Sequence, residues 1–204
     1  MSITLFRVIA YREGAGQSEL GGAFYIPPQG HGRLDNPDLF AVLYTGENQV
    51  GCVAEAFGRI HSWTTSLFAG HPTRAPARAL ATYTADPDRL ALCDLDDAHE
   101  LVRQRMRPSD VITRDYGFTQ KWARALFERG RWAGVRWWSY YEARWANVGL
   151  WDIRALKVAS VEPLTADHPA VVAAAASIGR TENPRSTEPD SQRQARPRQR
   201  RRRS

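Results

Sequence analysis

Residues 30–57, GHGRLDNPDLFAVLYTGENQVGCVAEAF, decide the fold because they join a turn, a strand and a helix. The glycines, asparagine and proline of 30–37 predict a loop, since glycine and asparagine tolerate positive φ and proline fixes its own. The almost continuously apolar run 40–44 predicts a strand that is buried on both faces. Asn48 suits the N-cap of the following helix, where apolar residues recur at helical spacing. The stretch therefore gathers charged and aromatic side chains at one end of a sheet, where binding sites commonly lie.

Three side chains of this stretch are candidate functional residues: Arg33 in the loop, Tyr44 at the end of the strand and Glu55 in the helix. Each also has an ordinary structural explanation. Arg33 could be an ordinary charged residue of a surface loop. Tyr44 could be a core aromatic whose hydroxyl reaches the rim, and Glu55 could lie on the solvated face of the helix, opposite its apolar side. Taken singly, the three residues do not decide between these interpretations.

Together with a second block further along the chain, the three residues resemble the RES domain family. The family pattern has an arginine in an Asn-Pro turn, a strand ending in Tyr-Thr and a glutamate eleven residues after the tyrosine, as from Tyr44 to Glu55. It continues with a strand similar to GVRWWS, which ends here at Ser139, and with an asparagine that opens another strand, here Asn147. The resemblance extends over residues 5–164, most of the predicted folded part.

The resemblance implies a fold, an activity and partners. Members of this family are NAD⁺-consuming toxins of bacterial toxin–antitoxin pairs, and their fold implies a compact mixed sheet core similar to that of ADP-ribosyltransferases. Strands and helices that mix without regular βαβ alternation favour the same α+β class. NAD⁺ would be a substrate, so that no cofactor is needed, and inorganic phosphate or water would accept ADP-ribose. The implied partner is a helix-turn-helix antitoxin of the Xre type, and the implied location is the cytoplasm.

Residue by residue, the resemblance also implies an active site. In NAD⁺ the nicotinamide is already a cationic leaving group, so the barrier lies in the charge that builds on the ribose, which a carboxylate beside the ring stabilises. A guanidinium fork suits the diphosphate or an attacking phosphate. A tyrosine can stack on nicotinamide, and a serine can bind its carboxamide or the ribose. The implied catalytic residues are Glu55, Arg33, Tyr44 and Ser139, and the implied substrate-binding residues are Arg7, Arg33, Tyr44, Ser139 and Asn147.

Length and composition indicate one domain followed by a basic tail. A chain of 204 residues with 43% hydrophobic content can bury one sizeable core. We expect the RES domain at 1–165, a C-terminal helix at 166–178 and a disordered Arg-rich tail at 179–204. The tail has nine arginines and three acidic residues, and its net charge of +6 equals that of the whole chain, so the remainder is neutral. The apolar content of the tail is too low to offset the conformational entropy that it would lose on folding. Its arginine run at 193–203 could bind nucleic acid nonspecifically, or it could keep the protein soluble.

Several protein classes are disfavoured by the sequence. No apolar run approaches the roughly 18 residues of a membrane helix, and the N-terminus lacks the pattern of a secretory signal. The five histidines show no metal-ligand spacing, so we expect no metal, and neither phosphate-cradling nor dinucleotide-binding glycine motifs occur. Cys52 and Cys93 suit buried thiols rather than a disulfide. His31 suits either a phosphate contact or an ordinary loop histidine.

The other elements are predicted from periodicity and turn residues. A helix at 115–129 is expected to bury Phe118, Trp122 and Leu126, and the irregular segment 61–79 could cover a cleft as a flap. The tryptophans between 132 and 151 are expected mainly to pack the sheet, and one of them could line a nucleotide pocket. The other predicted strands are 3–9, 82–84, 90–95, 134–139, 146–152 and 155–163, and the other helices are 48–60, 97–104 and 168–178.

Three functions agree with these residues. The leading one is a toxin that cleaves the nicotinamide–ribose bond of NAD⁺ and transfers ADP-ribose to phosphate or water. The second is a protein ADP-ribosyltransferase that uses the same four residues with a different acceptor. The third is a non-catalytic protein that binds nucleic acid or a partner through the arginine tail. NAD⁺ loss distinguishes the first from the third, and deletion of the tail tests the third.

Overall fold

A computed structural model describes residues 2–70 and 76–182, and in this part of the chain nine strands accompany six helices. The strands are Ile3–Tyr11 (β1), Leu43–Gly46 (β2), Ser62–Trp63 (β3), Ala77–Ala85 (β4), Leu92–Asp94 (β5), Gly134–Trp138 (β6), Ala146–Leu150 (β7), Leu156–Pro163 (β8) and Thr181–Glu182 (β9). The helices are Gln49–Phe57 (α1), Thr65–Ala69 (α2), Ala98–Gln104 (α3), Pro108–Val111 (α4), Tyr116–Glu128 (α5) and Pro169–Ser177 (α6).

Seven strands form one mixed sheet in the order β5-β6-β7-β2-β1-β4-β8. All neighbours in it are antiparallel except β5 and β6, which are parallel. The α+β class and the mixed sheet core predicted from the sequence are thereby confirmed. β1 pairs with β4 along its whole length, but it pairs with β2 only at Phe6 and Gly46. The sheet therefore opens between β1 and β2, and this opening creates the concave site described below.

Helices cover the sheet on either side of this opening. Alternate residues of β1 point to opposite faces, so Leu5 joins one core cluster while Phe6 packs against another. The second cluster holds α1, α2 and α6 against β1 and β4. A third cluster packs α3, α4 and α5 against β5 and β6. The C-terminal helix predicted at 166–178 is thus part of the same core as α1.

Helix α1 begins where its sequence predicts. The side chain of Asn48 accepts a hydrogen bond from the backbone N–H of Gly51, 3.0 Å away, which satisfies one donor of the first turn. Val53 and Phe57 face the core, and Glu55 lies on the opposite face of the helix. That opposite face is turned toward the opening of the sheet.

The strand predicted at 40–44 was wrong in its limits. The backbone N–H of Phe40 donates to the carbonyl of Asn36, 2.9 Å away, and closes a turn that keeps this part of the chain from extending. Phe40 instead packs its ring against Phe127 and Trp151, at centroid distances of 4.4 and 5.3 Å. The strand itself begins at Leu43, so Tyr44 lies inside it rather than at its end.

Segment 61–79 is not an irregular flap in its described residues. It contains β3, α2 and the start of β4, and the side chains of Trp63 and Phe68 are buried beside Phe57. These aromatic contacts anchor the segment to the core. Residues 71–75 of the predicted flap lie outside the described residues.

Two further expectations need correction. Phe118 does not face the core, because its side chain is 44% exposed and the buried face of α5 consists of Thr119, Ala123 and Leu126. The tail does not begin at 179, because Thr181–Glu182 pairs with β3 as a short parallel strand. The remainder of the predicted tail, including the arginine run 193–203, lies outside the described residues.

The prediction for the two cysteines agrees with the structure. Cys52 and Cys93 are both buried and form no disulfide, which confirms their interpretation as buried thiols. Within residues 2–70 and 76–182, the longest apolar helix falls short of what is required to cross a membrane.

Candidate active site

A cleft of about 820 Å³ lies where β1 and β2 part. This volume is within the usual range for sites that bind small molecules. Its walls come from β1, the loop before β2, the polar face of α1 and the segment that follows α4. Five of the six residues predicted for the site line it: Arg7, Arg33, Tyr44, Glu55 and Asn147. The sixth, Ser139, lies behind Glu55.

Glu55 is held at the cleft wall through one carboxylate oxygen. Its Oε1 accepts a hydrogen bond from the hydroxyl of Ser139 at 2.6 Å and another from the side-chain amide of Asn147 at 3.0 Å. Ser139 follows β6 and Asn147 lies in β7, so two neighbouring strands fix the carboxylate of a helix residue. Its Oε2 accepts no hydrogen bond from the described residues. The carboxylate is therefore oriented with one oxygen available to a ligand.

Ser139 is itself part of the supporting structure. Its side chain is 2% exposed, and its hydroxyl oxygen accepts a hydrogen bond from the backbone N–H of Tyr141 at 3.1 Å. Because the hydroxyl hydrogen is used on Glu55, Ser139 is better described as a residue that positions the carboxylate. The structure brings Ser139, Asn147 and Glu55 together, as the resemblance implied.

The loop before β2 is organised by a buried aspartate. Asp35 Oδ2 accepts hydrogen bonds from the backbone N–H groups of Gly30 at 2.8 Å and Gly32 at 2.7 Å. The other oxygen, Oδ1, accepts from the hydroxyl of Tyr44 at 2.7 Å. A Cβ atom at Gly32 would lie 2.6 Å from both Asp35 Oδ1 and the Tyr44 hydroxyl, so a side chain at this position would displace the hydrogen bond between them. Sequence analysis did not identify this role of Asp35.

Tyr44 lines the cleft, and its hydroxyl is bound to the loop before β2. The hydroxyl also accepts a hydrogen bond from the backbone N–H of Leu34 at 2.8 Å. Burial, together with the hydrogen bond to Asp35, raises the pKa of Tyr44 well above its ordinary value. The phenol therefore stays neutral, with its ring edge-on to Trp137 at a centroid distance of 6.5 Å. Trp137 lines the cleft and also packs in the core, so both roles considered for the tryptophans occur in this residue.

Arg33 ties the same loop to the segment after α4. Its Nη1 donates to the carbonyl oxygens of Val111 and, at 3.0 Å, of Thr113. Its guanidinium carbon lies 5.6 Å from the centre of the Tyr116 ring. Burial lowers the pKa of Arg33, although a guanidinium remains charged at neutral pH. Arg33 thus contributes a fixed positive charge beside Glu55.

Arg7 is less available for binding than the resemblance implied. Its Nη1 donates to the carbonyl oxygen of Tyr25 at 3.0 Å, and burial lowers its pKa. Arg7 contributes to the cleft lining, but this hydrogen bond draws its guanidinium toward the loop that contains Tyr25.

Two further arginines line the cleft and were not predicted as site residues. Arg59 lies one turn after Glu55 in the chain and donates to the Tyr116 hydroxyl at 3.1 Å. Arg114 lies between α4 and α5 and approaches Tyr140. The spacing of four residues between Glu55 and Arg59 places both on one face of a helix, so Arg59 could have been predicted from the sequence. No local sequence pattern identifies Arg114. With Arg7 and Arg33, four arginines and one acidic residue line the cleft.

This lining suits an anionic ligand with aromatic or ribose groups. Guanidinium groups suit phosphate oxygens, and a fixed carboxylate suits hydroxyl groups or developing positive charge. In the part of the chain that the structure describes, no three His, Cys, Asp or Glu side chains gather as metal ligands.

Comparison with known proteins agrees with the fold and with the sequence pattern. No curated protein matches the chain. Among solved structures, the chain is similar to one in the crystal structure of the M. tuberculosis MbcT–MbcA toxin–antitoxin complex, with a TM-score of 0.52 and 19% identity. That similarity covers 81% of this chain and 85% of the other, and it is a similarity of fold. The family model for the RES domain matches residues 4–173. The chain therefore belongs to the RES domain family, as the residues around Tyr44, Glu55 and Ser139 indicated.

Proposed function

We propose that this protein degrades NAD⁺ by cleaving the bond between nicotinamide and ribose, and that it transfers ADP-ribose to inorganic phosphate or water. The observation that carries the proposal is the carboxylate of Glu55, which Ser139 and Asn147 fix through Oε1 at the wall of a cleft rich in arginine. Membership of the RES domain family supports the same activity.

The main barrier of the proposed reaction is the positive charge that develops on the ribose. The leaving nicotinamide does not have to be protonated. When the bond from ribose C1′ to the nicotinamide nitrogen breaks, its electron pair stays on that nitrogen and nicotinamide leaves as a neutral molecule. Positive charge then builds on the ribose, and the Glu55 carboxylate beside the ring stabilises it. An oxygen of phosphate or water forms the new bond to C1′, and an attacking water releases one proton to the solvent.

The other cleft residues bind and orient NAD⁺ in this proposal. Arg33 and Arg59 place positive charge where the diphosphate or an attacking phosphate would lie. The ring of Tyr44 offers a neutral aromatic surface to the cationic nicotinamide. Ser139 and Asn147 act through Glu55, because their hydrogen bonds to Oε1 fix its orientation.

The proposed biological role is that of a toxin in a toxin–antitoxin pair, acting in the cytoplasm, where it would deplete NAD⁺. The family resemblance and the fold shared with a chain of a toxin–antitoxin complex support this role. The proposed partner is a helix-turn-helix antitoxin that covers the cleft. Such a partner would block substrate entry and leave the carboxylate in place.

The test is NAD⁺ loss with product identification by mass spectrometry, with and without inorganic phosphate. The wild type should consume NAD⁺, and Glu55→Gln should lose at least about a hundredfold in rate, since it keeps the side-chain shape but removes the charge. Glu13→Gln, at an exposed glutamate outside the cleft, is the matched control. ADP-ribose-1-phosphate would identify phosphate as acceptor, and ADP-ribose would identify water.

Two results would contradict the proposal. A folded wild type that consumes no NAD⁺ under either condition would remove it. NAD⁺ loss that needs an added protein and labels that protein would favour the ADP-ribosyltransferase alternative.

A further inference from the structure

The outer mouth of the cleft carries an arginine and a tyrosine that the proposed reaction does not use. Arg114 comes from the segment between α4 and α5, and Tyr140 comes from the turn between β6 and β7. The guanidinium carbon of Arg114 lies 5.6 Å from the centre of the Tyr140 ring, and its Nη2 lies 3.5 Å from the Tyr140 hydroxyl. The two side chains thus meet across the mouth, and both line the cleft.

Tyr140 is an aromatic residue of the cleft lining that is 62% exposed. Its neighbour Tyr141 is docked, since its hydroxyl occupies the space that a side chain at Gly58 would need. Tyr140 touches Tyr141 only with edge-to-face geometry, at a centroid distance of 5.5 Å. Tyr141 therefore anchors the turn while Tyr140 keeps a ring surface open to a ligand.

The charge around Tyr140 indicates which planar end of NAD⁺ binds there. Arg114 contacts Tyr140, whereas Arg33, from the loop before β2, and Arg59, just after α1, both contact Tyr116. NAD⁺ has two planar ends: the nicotinamide ring is cationic, and adenine is neutral. At Tyr140 the neighbouring charge is Arg114, which forms no salt bridge within the described residues, so this surface repels the cationic ring but accepts a neutral base that stacks on a tyrosine and a guanidinium. The neutral rings of Tyr44 and Trp137 suit the cationic end, because the guanidinium beside Tyr44, that of Arg33, has the Glu55 carboxylate near it to offset its charge.

We infer that Tyr140 and Arg114 form the binding site for the adenine base of NAD⁺. The inference rests on the proposed function, because it takes NAD⁺ as the ligand and Glu55 as the position of the nicotinamide ribose. In this arrangement the base stacks on the exposed face of Tyr140, the diphosphate lies along Arg33 and Arg59, and the reactive ribose reaches Glu55. Tyr140 therefore determines affinity for dinucleotides and takes no part in bond cleavage.

The test compares NAD⁺ with nicotinamide mononucleotide, which has the same scissile bond and one phosphate but lacks the adenosine half. Tyr140→Ala should raise KM for NAD⁺ by about ten- to one-hundredfold, as expected for loss of one stacked base, and should change kcat less than about threefold. The kcat/KM for nicotinamide mononucleotide should stay within about threefold of the wild type. Tyr140→Phe keeps the ring and loses only the contact of its hydroxyl with Arg114, so its KM for NAD⁺ should rise less than that of Tyr140→Ala. Phe118→Ala removes an exposed aromatic outside the cleft and is the matched control.

A binding measurement separates this inference from the proposed function. AMP carries the base and one phosphate without a scissile nicotinamide bond, and calorimetry measures its affinity without turnover. Tyr140→Ala should weaken AMP binding by the same factor by which it raises KM for NAD⁺. If the wild type consumes no NAD⁺ but binds AMP through Tyr140, the proposed function fails and the adenine site stands.

Three outcomes would overturn the adenine site. Equal losses of kcat/KM for NAD⁺ and nicotinamide mononucleotide would place Tyr140 at the nicotinamide half. Unchanged values for both substrates would leave Tyr140 without a role in binding. AMP binding that is absent, or that Tyr140→Ala leaves unchanged, would exclude a base on this surface.

Discussion

Replacing Ser139 with alanine is expected to impair NAD⁺ degradation because the hydroxyl orients Glu55. The hydroxyl donates to Glu55 Oε1 at 2.6 Å, and Asn147 donates to the same oxygen at 3.0 Å. The alanine variant removes the shorter of these two hydrogen bonds and leaves the negative charge. Catalysis should therefore weaken through misorientation of the carboxylate, while its charge remains in the cleft.

The size of the loss follows from the strength of that hydrogen bond. A hydrogen bond to a charged group contributes about 1.5–3 kcal/mol. Each 1.36 kcal/mol corresponds to a tenfold change in rate, so kcat/KM should fall by about 10- to 150-fold. The backbone N–H of Tyr141 also loses its acceptor, and about 1 kcal/mol of stability would lower Tm by about 2–4 °C.

The assay measures kcat and KM for NAD⁺ with Ser139→Ala, Glu55→Gln and the double variant. Because Ser139 acts through Glu55, kcat should fall more than KM rises, and the double variant should be no slower than Glu55→Gln alone. Ser177→Ala, which removes an exposed hydroxyl on α6, is the matched control and should be fully active.

Two results would refute this reasoning. If the losses multiply in the double variant, Ser139 contributes independently of Glu55, as a direct contact with the carboxamide or ribose would. If folded Ser139→Ala keeps full activity, the Glu55 carboxylate does not need the hydroxyl for its orientation.

Other predictions follow from the supporting contacts. Tyr44→Phe should lower Tm by about 2–8 °C, since its hydroxyl makes two hydrogen bonds, but should keep kcat/KM within about threefold; lost turnover without lost stability would give the hydroxyl a chemical role. Burial raises the pKa of Cys52 and of Cys93 to about 12, so at pH 8 only about one thiol in 10,000 is ionised. Neither should react with a thiol reagent until guanidinium unfolds the chain, and a fast-reacting thiol in the folded protein would contradict this. Truncation after Glu182 should keep NAD⁺ turnover and Tm while removing salt-dependent binding to nucleic acid, and retained binding would exclude the tail as its cause. Truncation after Gly179 should lower Tm, because it removes Arg180, whose guanidinium donates to the carbonyl oxygen of Gly58 at the end of α1. An unchanged Tm would show that this contact does not stabilise the fold.

Local chemistry made part of the fold predictable. The Asn48 cap and the apolar spacing that follows it specify α1 within a few residues, and Asp115 and Gly130 bound α5 in the same way. The limits of β2 were not predictable, since Phe40 is apolar enough for a strand. It is removed from the strand by contacts with Phe127 and Trp151, which are distant in the chain.

The candidate site was predictable only where a family pattern existed. The resemblance located Glu55 and Ser139, which lie 84 positions apart and meet through a hydrogen bond. It gave no information about Arg114, which reaches the cleft because Arg33 binds the carbonyl groups of the preceding segment. A contact between a side chain and distant backbone carbonyls leaves no pattern in the sequence, because every residue has a carbonyl.

The neutral charge of the folded part conceals a basic cleft because ion pairs are distributed unevenly. Outside the cleft, arginines pair with carboxylates: Arg136 with Glu47, Asp94 and Asp96, Arg124 with Asp38 and Glu128, and Arg154 with Asp152. The cleft arginines 33, 59 and 114 instead contact carbonyl and phenol oxygens, and none of them forms a salt bridge within the described residues. Neutral acceptors fix a guanidinium in place without cancelling its charge, so these arginines retain their attraction for an anion. A count of charges along the sequence misses this because folding decides which arginines have a carboxylate partner, and the anion-binding capacity of the cleft arises from that arrangement.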